Sequence, residues 1–300
     1  MGNGLKTKIG KLASDLFREK GSLAVSLASE PGRDSDQASD REFEPGLLSG
    51  KNVLITGAGG KIGKALALEM AKQGASIYFT DIEQAKIDRL GELLAPQGVD
   101  FNGFDCDIAD PAKVEDFCAG LADSGTRIDV LVNNVGIQFQ TTTLAESSIE
   151  EWKRTYEVNV LGPALLTRLI TNSMIKNGIE GSVIFITSIH QFAISGWAAY
   201  SSSKAALGML IKELAVSLAP HRIRVNGIAP GWVAGDDRGH PLKHKYTPLH
   251  KTSITPCYIG RAAVYLAADY FSKFTTGSVL KIDAGLSLHN HRVQQIYPPS

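Results

Sequence analysis

Apolar and polar positions along this chain follow two different rhythms. Near the start, Leu5, Ile9, Leu12, Leu16 and Phe17 recur at helical spacing among Lys6, Lys8, Lys11, Arg18 and Lys20, which predicts a basic amphipathic helix. From Ser29 to Pro45 there is little to bury, and Pro31-Gly32, Asp34-Ser35-Asp36 and Asp40-Arg41-Glu42 predict an acidic linker. Beyond Lys51 the pattern becomes an alternation of strand and helix. Strands are predicted over 53–55, 76–80, 101–105, 130–132, 182–187 and 223–228, and helices over 63–73, 84–95, 111–122, about 150–176 and about 198–218. Strands this apolar on both faces belong in a parallel sheet with helices on each side, so the expected class is α/β, a three-layer, doubly wound single domain. Its expected bounds are about 47–290, after an extension over 1–46 and before a tail over 291–300.

Composition narrows the function classes. The 31 basic and 31 acidic side chains cancel, so no whole-molecule field gathers nucleic acid, and a nucleic-acid binder is disfavoured. Cys106, Cys118 and Cys257 are odd in number and lack metal-ligand spacing, which suits a reducing, cytoplasmic setting and predicts no metal site. No apolar run reaches the roughly 20 residues that span a bilayer. Met1-Gly2 does not make a myristoylation signal, because Lys6 stands where Ser or Thr is required and Thr7 comes one place late. The basic helix could dock on the body, on a neighbouring subunit or on a membrane surface, or be an extension without chemistry.

Candidate chemistry begins where the first strand runs into Thr56-Gly57-Ala58-Gly59-Gly60-Lys61-Ile62-Gly63 and then a helix. Glycines there let the backbone approach a pyrophosphate at the positive end of the helix, which points to a dinucleotide held by Gly57, Gly60, Lys61, Ile62 and Gly63. Lys61 adds charge beside the pyrophosphate or points into solvent. Asp81, after the second strand, can accept hydrogen bonds from both adenosine ribose hydroxyls and would repel a 2′-phosphate. No Arg or Lys follows it directly, so NAD is expected over NADP. Asp107, with Ile108 beside it, either reaches the adenine or caps the helix that starts near Asp110-Pro111.

The densest cluster is Ser188, Tyr200 and Lys204. Tyr200 and Lys204 stand four apart at the start of a helix, so both project from one face. A nearby ammonium favours the phenolate, so Lys204 is expected to lower the pKa of Tyr200 toward the working range. Ser188, at a strand end, can donate a hydrogen bond to a substrate oxygen as charge develops on it.

Together with Asn133-Asn134-Val135-Gly136, Asn159, Pro230-Gly231 and the closing run Thr276 to Gly285, these motifs resemble the compact branch of the short-chain dehydrogenases/reductases over about 47–290. The resemblance implies a Rossmann-like sheet, a homodimer or homotetramer, and NAD-dependent interconversion of alcohol and carbonyl. It implies Tyr200 as acid/base, Lys204 on the nicotinamide ribose, Ser188 orienting substrate and Asn159 holding a water that relays the proton through Lys204. Asn134, Gly136 and the Pro230 to Val233 turn would line the cofactor, and His190, Gln191 and Trp197 would touch the substrate.

Two departures stand out. Lys61 replaces a usual glycine, so the turn fits T-G-x-x-G-x-x-G, the form of extended relatives that include sugar epimerases and dehydratases using NAD internally. Too little chain follows Lys204 for that branch's substrate domain. The threonine often found after Pro-Gly is missing from Trp232-Val233-Ala234-Gly235. The segment from Ala234 to Pro256 carries Asp236, Asp237, Arg238, His240, Lys243, His244, Lys245, Tyr246, His250 and Lys251, which favours a small polar or anionic substrate such as a sugar, polyol or hydroxy acid. A non-catalytic nucleotide-sensing scaffold is a further alternative, against which the intact Ser188, Tyr200 and Lys204 set speaks.

Overall fold

The computed structural model describes residues 46–139, 144–235 and 240–288. The helix and linker expected within 1–45, the tail, and Asp236, Asp237 and Arg238 fall outside the described residues. Seven strands form one parallel sheet: β1 (Asn52–Thr56), β2 (Ser76–Asp81), β3 (Phe101–Asp105), β4 (Val130–Asn133), β5 (Ser182–Ile186), β6 (Arg224–Pro230) and β7 (Val279–Ile282). Their order is β3-β2-β1-β4-β5-β6-β7. Val53 of β1 faces Ile77 of β2 on one side and Val130 of β4 on the other, so the winding reverses between β1 and β4. A crevice opens at such a switch point, beyond the carboxyl ends of the strands.

Helices cover both faces. They are α1 (Lys61–Ala71), α2 (Gln84–Leu94), α3 (Pro111–Asp123), α4 (Ile149–Tyr156), α5 (Gly162–Lys176), α6 (Ala198–Leu218), α7 (Pro256–Ala267) and the short α8 (Asp269–Ser272). Strand side chains alternate between two cores. Val53 and Ile55 join Phe79, Val132 and Ile184 against Leu66 and Met70 of α1, Leu90 of α2 and Ile259 of α7. Leu54 joins Leu131, Val183 and Phe185 against Val114 of α3, Leu166 and Ile170 of α5, and Leu207 and Ile211 of α6.

Two differences from the sequence reading bear on the site. The helix expected over about 150–176 is broken by a π-turn at Glu157–Leu161. Pro163 has no N–H to give the Asn159 carbonyl four residues earlier, so the ladder widens, and the Gly162 N–H bonds to Glu157 instead. Gly162 suits this bend, since a Cβ there would lie 2.2 Å from the Ile108 carbonyl oxygen. The other is α7, a helix missing from the sequence reading. Its small residues admit α1 closely: a Cβ on Gly260 would lie 2.6 Å from the Ala65 carbonyl oxygen.

Candidate active site

The glycine-rich turn is shaped by close approach. Gly57 has φ +60°, and a Cβ on it would lie 2.7 Å from Val135 Cγ2. Gly63 packs the first turn of α1 onto the strand end, where a Cβ would meet Ala58 Cα at 2.5 Å. Gly60 caps α1 and has only the Gly57 oxygen near its missing Cβ, at 3.6 Å. Asn134 ties the two sides of the switch point together, its Nδ2 donating to the carbonyls of Thr56 at 2.9 Å and Gly57 at 3.0 Å. Thr56 Oγ1 accepts in return from the Asn134 and Val135 N–H groups. This bare backbone cradle at a helix N-terminus fits a dinucleotide pyrophosphate, and larger side chains at Gly57 or Gly63 would destroy it. Lys61 is exposed at the start of α1.

Asp81 is buried at the end of β2. Its Oδ2 accepts from Gly59 N–H at 2.9 Å, and its Oδ1 from Ile82 at 2.9 Å and Glu83 at 3.3 Å. Asp107 is held by protein partners: Oδ1 accepts from Ala109 N–H and Oδ2 pairs with Arg154 of α4 at 3.0 Å. Burial raises its pKa, but these bonds outweigh burial and hold it below the usual range. Asp110, not Asp107, caps α3. Ile108 is buried in the core beneath.

Ser188, Tyr200 and Lys204 converge on one cavity of about 240 Å³, together with Ile62, Asn134, Gly136, Ile186, Thr187, Pro230, Gly231 and Val233. Of these, only Ile186 and Thr187 were not singled out from the sequence; nothing distinguishes them there from other strand-end residues. Lys204 is buried, with Nζ 3.1 Å from the Ile186 carbonyl and 5.6 Å from the Tyr200 ring centre. Gly136 leaves room for it, because a Cβ there would lie 2.9 Å from Nζ. Ser188 Oγ accepts from the His190 N–H at 3.2 Å. Asn159 sits in the π-turn, its Nδ2 donating to Ile137 O and Ser203 Oγ, both at 3.0 Å, and its Oδ1 accepting from Ile137 N–H at 2.8 Å. Ser203 Oγ in turn donates to the Tyr200 carbonyl at 2.7 Å, so Asn159 braces the first turn of α6.

The electrostatics differ from the expectation of a lowered Tyr200 pKa. Burial pushes the Tyr200 phenol up, against a smaller downward pull from its hydrogen bond with Ser188. Burial also pushes Lys204 down from 10.5 to about 8. Both groups are driven toward their neutral forms because burial withholds the solvation that a phenolate or an ammonium needs.

The expected substrate residues divide. His190 lies edge-on to Tyr200, ring centres 5.7 Å apart, and 5.6 Å from Trp197; burial lowers its pKa. Gln191 packs instead over Gly208, two turns along α6 from Tyr200. Beyond Pro230, Trp232 lies against His244 with ring centres 4.6 Å apart and planes tilted by 42°, and Val233 bridges to Ile254, which fastens the segment after Pro-Gly to the cavity wall. This segment exposes Leu242, Tyr246 and Leu249 as well as lysines, so it is more mixed than its charges suggest. Among the described residues no group of His, Cys, Asp and Glu could hold a metal ion, and no helix is long and apolar enough to cross a membrane.

Comparison with known proteins agrees with this geometry. The family profile described as enoyl-(acyl carrier protein) reductase matches residues 57–287. Glucose 1-dehydrogenase 2 of Bacillus subtilis is 30% identical over 258 residues, 82% of this chain and 98% of that protein. A short-chain type dehydrogenase/reductase from Mycobacterium marinum superposes with a TM-score of 0.73 at 30% identity, over 80% of this chain and 96% of that one. A 3-oxoacyl-[acyl-carrier protein] reductase with bound NAD from Brucella melitensis superposes with a TM-score of 0.72 at 25% identity, over 87% and 99% of the two chains.

Proposed function

This chain belongs to the short-chain dehydrogenase/reductase family in its compact single-domain form, and from that premise we propose that it interconverts an alcohol and a carbonyl on a small polar substrate with NAD(H). The observation that carries the reading is the convergence of Ser188, Tyr200 and Lys204 on the cavity that Asn134, Gly136, Pro230 and Val233 also line. The nicotinamide supplies or accepts the hydride when bound. Tyr200 exchanges a proton with the substrate oxygen, and burial keeps its phenol in the protonated form that donates to a carbonyl. Ser188 donates to the same oxygen; the His190 N–H already occupies an acceptor site on Oγ, and the hydroxyl proton that bonds Tyr200 is the one offered to the substrate. Lys204 holds the ribose and passes the proton on through a water held at Asn159, whose carbonyl has lost its α-helical donor to Pro163. His190 and Trp197 touch the substrate.

Asp81 supports NAD over NADP, and the bare turn of Gly57, Gly60, Ile62 and Gly63 supports pyrophosphate binding. The printed names of relatives, a glucose dehydrogenase among them, support a polar alcohol as substrate. Exposed Tyr258 and Tyr265 on α7, Tyr270 on α8, Phe274 after it and Leu280 on β7 support a homodimer or homotetramer. Free Cys106, Cys118 and Cys257 suit the reducing cytoplasm. The test is turnover of a panel of polar alcohols and ketones, followed by nicotinamide absorbance, in wild type and Tyr200→Phe. The variant should lose at least about a thousandfold in kcat while binding NADH within about twofold. Equal turnover in the two proteins would refute the assignment.

A further inference from the structure

The sequence places no cation directly after Asp81, but the fold brings one there. Lys86 lies in the first turn of α2, where the Cα–Cβ bond tilts back toward the helix start. A Cβ built on Gly59 would sit 2.5 Å from Lys86 Cβ, 3.0 Å from Lys86 Cδ and 2.8 Å from Asp81 Oδ2. The Lys86 stem and the Asp81 carboxylate therefore flank the same glycine of the nucleotide turn. Asp81 is pinned by the N–H groups of Gly59, Ile82 and Glu83, so it cannot swing away. Lys86 is pinned differently: Nζ meets Glu83 Oε1 at 2.5 Å, in an i,i+3 pair exposed to solvent. Exposed pairs of this kind are weak and exchange readily. A phosphate dianion offers an ammonium more charge and more acceptor oxygens than one carboxylate does.

We infer that Lys86 and Glu83 form a latch on the adenosine end of the site, with Lys86 available to a ribose 2′-phosphate and Glu83 competing for it. The chain then takes NADP as a second, weaker cofactor, with Asp81 opposing the phosphate and Lys86 offsetting part of that repulsion. This rests on the nucleotide reading above and adds to it the residue pair that sets the NAD/NADP ratio.

Fluorescence titration of NADH and NADPH into wild type, Glu83→Gln, Lys86→Gln and the double variant tests it without turnover. Glu83→Gln should tighten NADPH about fivefold, and Lys86→Gln should weaken it about tenfold, with NADH moving less than about twofold in each. The double variant should match Lys86→Gln, because Glu83 acts through Lys86. NADPH binding should also fall more steeply with added salt than NADH binding. A wild type that binds neither nucleotide overturns the cofactor reading, and the latch with it. Both nucleotides binding with a ratio indifferent to Lys86→Gln overturns the latch alone.

Discussion

Replacing Lys204 by Met should abolish turnover and yet raise the stability of the ligand-free protein near neutral pH. The side chain is 3% exposed, and its ammonium has one backbone acceptor, the Ile186 carbonyl at 3.1 Å. Burial lowers its pKa from 10.5 to about 8. At about 1.4 kcal/mol per unit, holding the charged form in the folded chain costs about 3 kcal/mol below pH 8. Methionine fills a similar volume without that cost, but leaves the Ile186 carbonyl without its partner, a loss of about 1 kcal/mol. The net expectation is a gain of about 2 kcal/mol at pH 7, or roughly 4–8 °C in Tm for a domain of this size. The pH dependence has a definite sign. An unfolded lysine keeps its proton to about pH 10.5, while the buried one releases it near pH 8. Between those values the unfolded chain holds more protons, so wild-type stability climbs with pH relative to the variant. Denaturant unfolding of both proteins at pH 7, 8, 9 and 10, at one protein concentration and without nucleotide, measures this directly. A Lys204→Met protein less stable than wild type at pH 7, or a difference constant from pH 7 to 10, would refute the account of Lys204 as a destabilising buried charge.

Two other perturbations separate fold from site. Arg224→Ala should lower stability by about 3–5 kcal/mol in thermal or denaturant melts. Its guanidinium bonds the Leu266 and Ala267 carbonyls at the end of α7, Ser272 Oγ and Asp269, and all lose a buried partner together. Gly63→Ala should weaken NADH binding at least about tenfold and cost about 1–3 kcal/mol of stability, because its Cβ would meet backbone at Ala58 rather than a flexible side chain. Unchanged NADH titration of that variant would remove the close helix-to-turn packing from the account of nucleotide binding.

Short-range chemistry made much of this protein legible from its residues. Apolar runs in β1, β4 and β5 announce a buried parallel sheet, because each strand must satisfy a core on both faces. Tyr200 and Lys204 share a face through helical spacing alone, and Gly57 and Gly63 declare a tight strand-to-helix turn. Pro163 even carries the signal for the π-turn at Asn159, although the apolar periodicity on either side conceals it. What the tertiary structure alone decided are contacts between residues distant in sequence and the solvent exclusion that comes with them. Arg154 reaches Asp107 across 47 positions, and Lys86 arrives beside Gly59 and Asp81 only because α2 packs back over the turn. The direction of the Tyr200 and Lys204 pKa shifts was equally hidden. Spacing shows that an ammonium and a phenol are neighbours, but how far they are buried depends on every element that closes the cavity, and burial sets the direction of both shifts.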